Sequence, residues 1–330
     1  MTTEQSNPLS RRNFIAVAGV ATTAALLTPR SLLSASRVSG AAGIVPLMRG
    51  QASTAKVAVQ SLRGNICVLI GAGGNIAVLT GPDGKLLVDA GISTARPQVT
   101  EALNSIGPEP IRHLINTHWH FDHTDGNEWL NQSGARIIAH ETTRRRLAGA
   151  TRVEGWDFTF LPAPPGALPT IGFKSPPGVS GATLSLHLNG TEIVLSAFEP
   201  AHTDCDIAVD FSDADVIHVG DIWWNGHYPF IDYSTGGSIN GTIRAVEVAL
   251  ARASAKTIII PGHGPVGDKP QLAEFRDMLV TVRGRVAAQK QQGRSLAEIV
   301  AAKPTAEFDR RYGHFLTNPD IFTGLVFAGV

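Results

Sequence analysis

An α/β fold is predicted by three features of the sequence. Short apolar or β-branched runs alternate with stretches of helical spacing, turn residues separate them, and several of the runs stop at a histidine or an aspartate. With 330 residues and 43% hydrophobic content, the chain can bury a large core. The formal charge is zero and no basic stripe occurs, which excludes nucleic acid as the expected partner. Cys67 and Cys205 are the two cysteines, too few for a disulfide framework or a thiolate zinc site. One disulfide between them stays open until their separation is known.

The first 42 residues are expected to be an export signal. Ser10-Arg11-Arg12-Asn13-Phe14-Ile15 precedes the uncharged run 16–27, and a Ser-, Ala- and Gly-rich stretch fills 31–43. This is the order of a charged, an apolar and a cleavage region. The paired arginines resemble the twin-arginine type, so the expected route is the twin-arginine export machinery and the expected location periplasmic or secreted. The apolar run 14–27 is short against the ~20 residues that span a bilayer, and no stable span is expected in the mature chain. Removing Arg11, Arg12, Arg30 and Arg37 together with Glu4 leaves that chain about three units negative.

Strands are expected at 66–70, 75–80 and 85–89. Gly81-Pro82-Asp83-Gly84 joins the last two through a turn in which proline presets φ and glycine supplies the positive φ. Gly71-Ala72-Gly73-Gly74 lacks the Lys-Ser/Thr and the following helix of a phosphate loop, so it reads as a hairpin turn. Asp89, at a strand end beside Gly91, either hydrogen-bonds a metal-ligating histidine or caps the next helix. Val99, Ala102, Leu103 and Ile106 give 97–106 one apolar helical face, closed by Gly107-Pro108. A strand at 111–115, a short helix at 127–131, a strand at 135–139 and a helix at 141–147 follow. Arg144, Arg145 and Arg146 read as a solvated face of that last helix.

Residues 151–181, with Pro162, Pro164, Pro165, Pro169, Pro176 and Pro177, read as a surface loop bordering the site. Strands 183–188 and 192–198 form a hairpin turned at Asn189-Gly190, and strands 207–211 and 216–219 come next. The helix 238–252 has Ser238 as its cap. A strand at 257–260 stops at Pro261-Gly262-His263. A long helix covers 271–292, Ser295 and Glu298 form a capping box for another, and the apolar 319–330 packs back on the body. No linker interrupts 43–330, so one domain is expected.

The segment Thr117-His118-Trp119-His120-Phe121-Asp122-His123-Thr124 has no packing rationale. Histidine and aspartate are costly to bury unpaired. A divalent cation is the simplest partner, because imidazole nitrogen and carboxylate oxygen suit zinc and its neighbours in sites that leave a position open for water. Residues i and i+2 of a helix face apart. His118 and His120 therefore share an ion only from an extended turn, while Asp122 and His123 open the next helix and face a second ion. His202, Asp221 and His263 stand at the ends of other apolar strands and can converge with them.

HWHFDH at 118–123, AHTDCD at 201–206, GDIWW at 220–224 and PGHGP at 261–265 resemble, in this order, the metallo-β-lactamase-fold hydrolases. The resemblance covers essentially all of the mature chain. It implies a four-layer αββα sandwich, two mixed β-sheets face to face with helices outside, and a dinuclear site at one edge. It also implies that His118, His120 and His202 hold one metal, that Asp122, His123 and His263 hold the other, and that Asp221 bridges them. Asp221, in place of cysteine or serine, brings the set closer to the glyoxalase II and lactonase branches than to typical β-lactamases.

The implied chemistry is hydrolysis of a small acyl substrate, a thioester, lactone, β-lactam or related compound, by a metal-bridging hydroxide that Asp122 orients. Zinc is the expected ion at both positions, with iron or manganese as alternatives. Two competing readings are an iron-dependent redox enzyme of the same fold, such as a persulfide dioxygenase, and a noncatalytic periplasmic metal-binding module. Trp223, Trp224 and Phe230 are expected to wall a substrate pocket, with Tyr228 either donating to the oxyanion or packing in its loop. Cys205 either approaches the metals or packs in the wall. His113, His140, His187, His218 and His314 have no motif partner.

Overall fold

A computed structural model describes residues 43–174 and 181–330. The expected export signal lies outside the described residues, as does the end of the proline-rich stretch. Strands β1 (Ala58–Ser61), β2 (Ile66–Ile70), β3 (Ile76–Leu79), β4 (Lys85–Val88), β5 (Ile111–Ile115), β6 (Arg136–His140) and β9 (Ile171–Phe173) make a seven-stranded sheet in the order β1-β2-β3-β4-β5-β6-β9. Its first four strands pair antiparallel, and the last four run parallel. β7 (Thr151–Val153) and β8 (Phe158–Phe160) form a separate two-stranded ribbon. β10 (Thr183–Leu188), β11 (Thr191–Ala197), β12 (Ile207–Phe211), β13 (Val216–His218) and β14 (Ile258–Ile260) make the second sheet, antiparallel except for the parallel β13–β14 pair.

The two-residue period of a strand sorts the core into layers. In β2, Ile66 and Val68 face the second sheet and pack in one buried cluster with Ile193, Leu195, Val209 and Phe211. Cys67 and Leu69, on the other face, meet Val99 and Leu103 of α2 (Arg96–Ile106) and Val45 of α1 (Ile44–Ala52). The outer face of the second sheet is covered by α6 (Ile239–Arg252), α7 (Lys269–Gln291), α8 (Leu296–Ala301) and α10 (Pro319–Ala328), through Val246, Phe275, Leu279, Ile299 and Phe322. Helices thus flank two mixed sheets. Each fully buried leucine, isoleucine or phenylalanine contributes ~1.5–3 kcal/mol by leaving water, so the sandwich is held mainly by apolar burial.

Three differences from the sequence reading have local causes. α7 begins two residues early because Asp268 caps it: its side chain accepts from Gln271 N–H while the Gln271 side chain accepts from Asp268 N–H. The described part of the proline-rich stretch, 151–174, is less irregular than its prolines suggested, since it carries β7, β8 and an edge strand, β9, where proline-flanked pairing is tolerated. The arginines of α5 (Glu141–Ala148) are not simply solvated. Arg146 makes a two-pronged pair with Asp204, and Arg144 donates to the Pro169 carbonyl. Cys67 and Cys205 are both free and buried. Among the described residues, no helix is long and apolar enough to cross a membrane.

Candidate metal centre

Parallel pairing explains why distant motifs meet. β4 and β5 run the same way, so Asp89 and the 117–123 segment leave the first sheet at one edge. β13 and β14 do likewise in the second sheet, delivering Asp221 and His263. Backbone hydrogen bonds clip the two edges together: Asn75 N–H donates to Gly262 O at 2.8 Å, and Ile207 N–H to Thr117 O at 2.9 Å. His118 lies on an extended turn, His120 is the residue before α3 (Phe121–Thr124), and Asp122 and His123 sit within that single helical turn.

His118, His120, His202 and Asp221 bring one ligand-type atom each to within 4.8 Å of one another, and Asp122, His123 and His263 form a second such group. Asp221 reaches both. Its Oδ2 is 3.4 Å from His202 Nε2 and 3.4 Å from His263 Nε2, and its Oδ1 is 3.1 Å from His123 Nε2. All seven side chains are buried. Glycine makes the approach possible at two points, where a Cβ on Gly262 would stand 1.8 Å from Asp221 Oδ1 and one on Gly74 2.2 Å from His123 Cε1.

The outward-facing atoms fix the tautomers. His202 Nδ1 lies 2.7 Å from the Phe230 carbonyl, which only accepts, so the ring donates there and Nε2 keeps its lone pair. His120 Nε2 donates to Asp232 Oδ2 at 3.1 Å, leaving the lone pair on Nδ1. His123 Nδ1 donates to Asp89 Oδ2 at 2.7 Å. Thr117 Oγ1 gives its proton to Asp89 Oδ2, so it accepts from His118 Nδ1 at 3.0 Å. Inward-facing lone pairs therefore converge, and His120 Nδ1 and His202 Nε2 are 2.8 Å apart. Buried His118 Nε2, His123 Nε2, His263 Nε2 and Asp221 Oδ1 carry no well-directed hydrogen bond. Such an arrangement is costly unless positive charge sits between the atoms, and the donor set fits two divalent cations.

The electrostatics differ across the cluster. Burial holds the His118 and His120 imidazoles below their ordinary value. Burial also opposes protonation of His123 and His263, but Asp221 and Asp122 outweigh it. His123 is raised well above its ordinary value, and His263 to about 9. Asp232 is held down at about 2: against the penalty of burial, it accepts from His120 and from the Ser234 and Thr235 hydroxyls.

A family model for the metallo-beta-lactamase superfamily matches residues 69–266. The chain belongs to the metallo-beta-lactamase superfamily. A curated relative is the hydroxyacylglutathione hydrolase of Polaromonas sp. (strain JS666 / ATCC BAA-500), 28% identical over 156 residues, which are 46% of this chain and 48% of the relative. The chain thus matches about half the length of that relative. Among solved structures, the DIM-1 metallo-beta-lactamase has a TM-score of 0.52 at 21% identity, covering 68% of this chain and 98% of its own. The inverting sec-alkylsulfatase Pisa1 from Pseudomonas sp. has a TM-score of 0.60 at 16% identity, covering 90% of this chain and 54% of its own. These likenesses show the superfamily fold.

Within that fold the seven residues singled out in the sequence are gathered at one edge, and Asp89 takes the first of its two readings, as partner to His123. Tyr228 is a correction. Its ring stacks on Phe322 at 4.6 Å, and its hydroxyl faces Asp309 Oδ1 at 2.8 Å and the Thr305 carbonyl at 3.3 Å, so its donor points into the C-terminal helices. Trp223 is likewise core. Trp224 and Phe230 do flank the cluster, 4.4 Å from the His263 ring and 6.3 Å from the His120 ring. Cys205 is outside both ligand groups, and burial, followed by Asp206, pushes its thiol up to about 12, as befits a packing residue. The sequence reading missed Asp232 and Gly74. Asp232 sits two residues after Phe230 with no motif of its own, and only the fold brings it to His120.

Proposed function

We propose that this chain is an exported dinuclear metal-dependent hydrolase that cleaves a thioester, lactone, β-lactam or related acyl bond. The observation that carries the reading is the 2.8 Å approach of two imidazole lone pairs, His120 Nδ1 and His202 Nε2, inside a buried group of seven ligand-type side chains. His118, His120 and His202 would hold one ion, Asp122, His123 and His263 the other, with Asp221 shared. Two such cations, zinc first among the candidates, supply a water made nucleophilic near neutral pH and a charge that steadies the oxyanion.

The chain's own groups do the rest. Asp122 Oδ2 lies 3.1 Å from His263 Nε2, and its remaining oxygen orients the attacking water. Asp232 and Asp89 fix the rings of His120 and His123, which preorganises the cluster. Hydrolysis forms a carbon–oxygen bond from water and breaks the acyl bond, and the water's second proton passes to the leaving group. Export by the twin-arginine route rests on residues 10–27 of the sequence.

The test combines metal analysis of the purified protein with an activity screen on a thioester, a lactone and a chromogenic β-lactam. About two equivalents of zinc with turnover of any of these is the expected result. One equivalent of iron with oxygen uptake, or two metals with no turnover of any ester-like compound, overturns the reading.

A further inference from the structure

Aromatic side chains flank the ligand cluster at both ends, and Trp156, Phe230 and Phe315 come from parts of the chain that the metal motifs do not include. Over the first group lies Trp156, at the tip of the β7–β8 ribbon. Its ring is 4.7 Å from His120 and stacks on Phe230 at 5.2 Å and 25°. Glu154 N–H donates to Ser234 Oγ at 3.2 Å, which ties the ribbon to the turn that carries Asp232. Over the second group lies Trp224, 4.4 Å from the His263 ring. Phe315, from the loop before α10, is 5.8 Å from Trp224 and 6.0 Å from His263. Phe315 is 39% exposed and, among the described residues, the one large aromatic side chain so exposed. The Phe315 ring packs on Trp224, His227 and His263 and leaves its remaining surface open beside the cluster, where it suits an apolar ligand group.

The charges on the flanking elements point the same way. Arg146 is closed onto Asp204 at 2.6 Å, Arg152 onto Glu154 and Asp157 at 2.9 and 2.5 Å, and Arg311 onto Glu274. Arg310, exposed beside His314, is the remaining guanidinium on α9 (Asp309–Tyr312). Among the described residues, the spare polar atoms on this side are neutral: Trp224 Nε1–H and His227 Nδ1, the latter 4.5 Å ring to ring from Phe315, are buried without a hydrogen-bond partner and suit an uncharged ligand. A glutathione thioester would bring two carboxylates into this rim. With Arg146, Arg152 and Arg311 already paired and Arg310 exposed to solvent, desolvating two carboxylates here is costly.

We propose that the site takes uncharged acyl compounds bearing a phenyl or long alkyl group, held between Trp156 and Phe315, in preference to anionic glutathione thioesters. This rests on the hydrolase reading above. The metal-loaded full chain is assayed on three substrates: a phenylalkanoyl lactone or uncharged thioester, the same acyl group on glutathione, and a two-carbon acyl ester. The uncharged bulky substrate should exceed its glutathione counterpart at least tenfold in kcat/KM. Trp156→Ala and Phe315→Ala should each raise KM for the bulky substrate about tenfold, leave its kcat within about threefold, and lower kcat/KM for the two-carbon ester by about threefold or less. Arg310→Gln should not alter the ranking.

Preference for the glutathione thioester, lost in Arg310→Gln, overturns the proposal while leaving hydrolysis intact. So does an equal effect of the aromatic variants on long and short substrates. If nothing is turned over, the hydrolase reading fails and binding decides the rim. Saturable quenching of tryptophan fluorescence by an uncharged phenylalkyl amide, abolished in Trp156→Ala and weakened in Phe315→Ala, upholds it; absence of saturable quenching overturns it.

Discussion

The two halves of the ligand cluster hold similar side chains in opposite electrostatic states. His118 and His120 are buried among other imidazoles and kept neutral, so the first half presents lone pairs with little proton to displace. His123 and His263 face Asp122 and Asp221, which favour a proton on each ring. Their supports also differ. Asp89, fixed at the end of β4 by Thr117 N–H and Oγ1, backs His123, whereas Asp232, on a turn between the sheets' loops, backs His120. The first half is therefore preset for a cation, and the second exchanges protons for one.

Asp221 is the element the halves share, and removing it gives the largest expected effect. Asp221→Ala should lower kcat/KM on any substrate by on the order of 10³–10⁴-fold and reduce metal at both positions together. Plasma emission analysis beside the kinetics checks this. Full retention of two equivalents in that variant would show that the halves are independent and that the carboxylate does not join them.

Asp89→Asn and Asp232→Asn come next, at about 10–100-fold each in metal affinity or activity. The comparison is sharpened if each lowers a different half. Asparagine tolerates the positive φ of 68° at Asp89, so the backbone is kept while the charge behind His123 is lost. In Asp232→Asn the Ser234 and Thr235 hydroxyls keep a partner while the His120 ring loses its anion. Replacing zinc with cobalt and reading the two environments by absorption distinguishes the cases. Identical spectra for the two variants would contradict the assignment of one support to each half.

Legibility in the sequence followed the same division. HWHFDH announces itself because four of six consecutive residues are ligand-type side chains, three histidines and an aspartate, with no helical or strand rationale, and its position after β5 is visible in the apolar run 111–115. Asp89 is visible for the same reason, at a strand end. Asp232 is not, because its role depends on which way the 220–235 loops turn, and no local pattern encodes that. Tyr228 stayed open between an oxyanion donor and a packing residue for the same cause: proximity to Asp221 in sequence says nothing of the ring's direction, which is set by stacking on Phe322. The layered sheets were legible because strand periodicity is local. The β7–β8 ribbon was hidden by its three-residue strands and by the prolines that follow it, although it carries Trp156 to the cluster.

Acidification gives a smaller and directional contrast. Metal binding at the second half must release the protons held by His123, which Asp221 and Asp122 raise well above its ordinary value, and by His263, raised to about 9. Its affinity should fall about a hundredfold per pH unit where both rings are protonated, a factor of ten for each proton. His118 and His120, held below their ordinary value by burial, have few protons to release above 6.5, so metal at the first half should depend less on pH. Dialysis from pH 8 to pH 6 should then remove about one equivalent of metal before the other. The chelated protein should behave in reverse. His263, raised from 6.5 to about 9 in the fold, contributes stability that is full below 6.5 and lost as the pH rises through about 9. Asp221, held well below 3.8, keeps its contribution across that window. The metal-free melting temperature should therefore be higher at pH 6.5 than at 9.5, by about 2–4 °C for each kcal/mol. Calorimetry showing the opposite order would mean that protons do not fill the second half.

Tyr228→Phe should have the smallest effect on catalysis, and it separates the cluster from the loop that walls it. The hydroxyl serves Asp309 and the Thr305 carbonyl, away from the ligand atoms. Removing it deletes a hydrogen bond to a partly buried carboxylate, which costs about 1.5–3 kcal/mol of stability, while the ring still stacks between Tyr312 and Phe322. Turnover should stay within about threefold of the parent, under 1 kcal/mol on the barrier, and the loss should appear in the denaturation midpoint. A hundredfold fall in kcat with an unchanged midpoint would restore Tyr228 to the site, because an oxyanion donor and a packing hydroxyl differ in which of these two measurements they move.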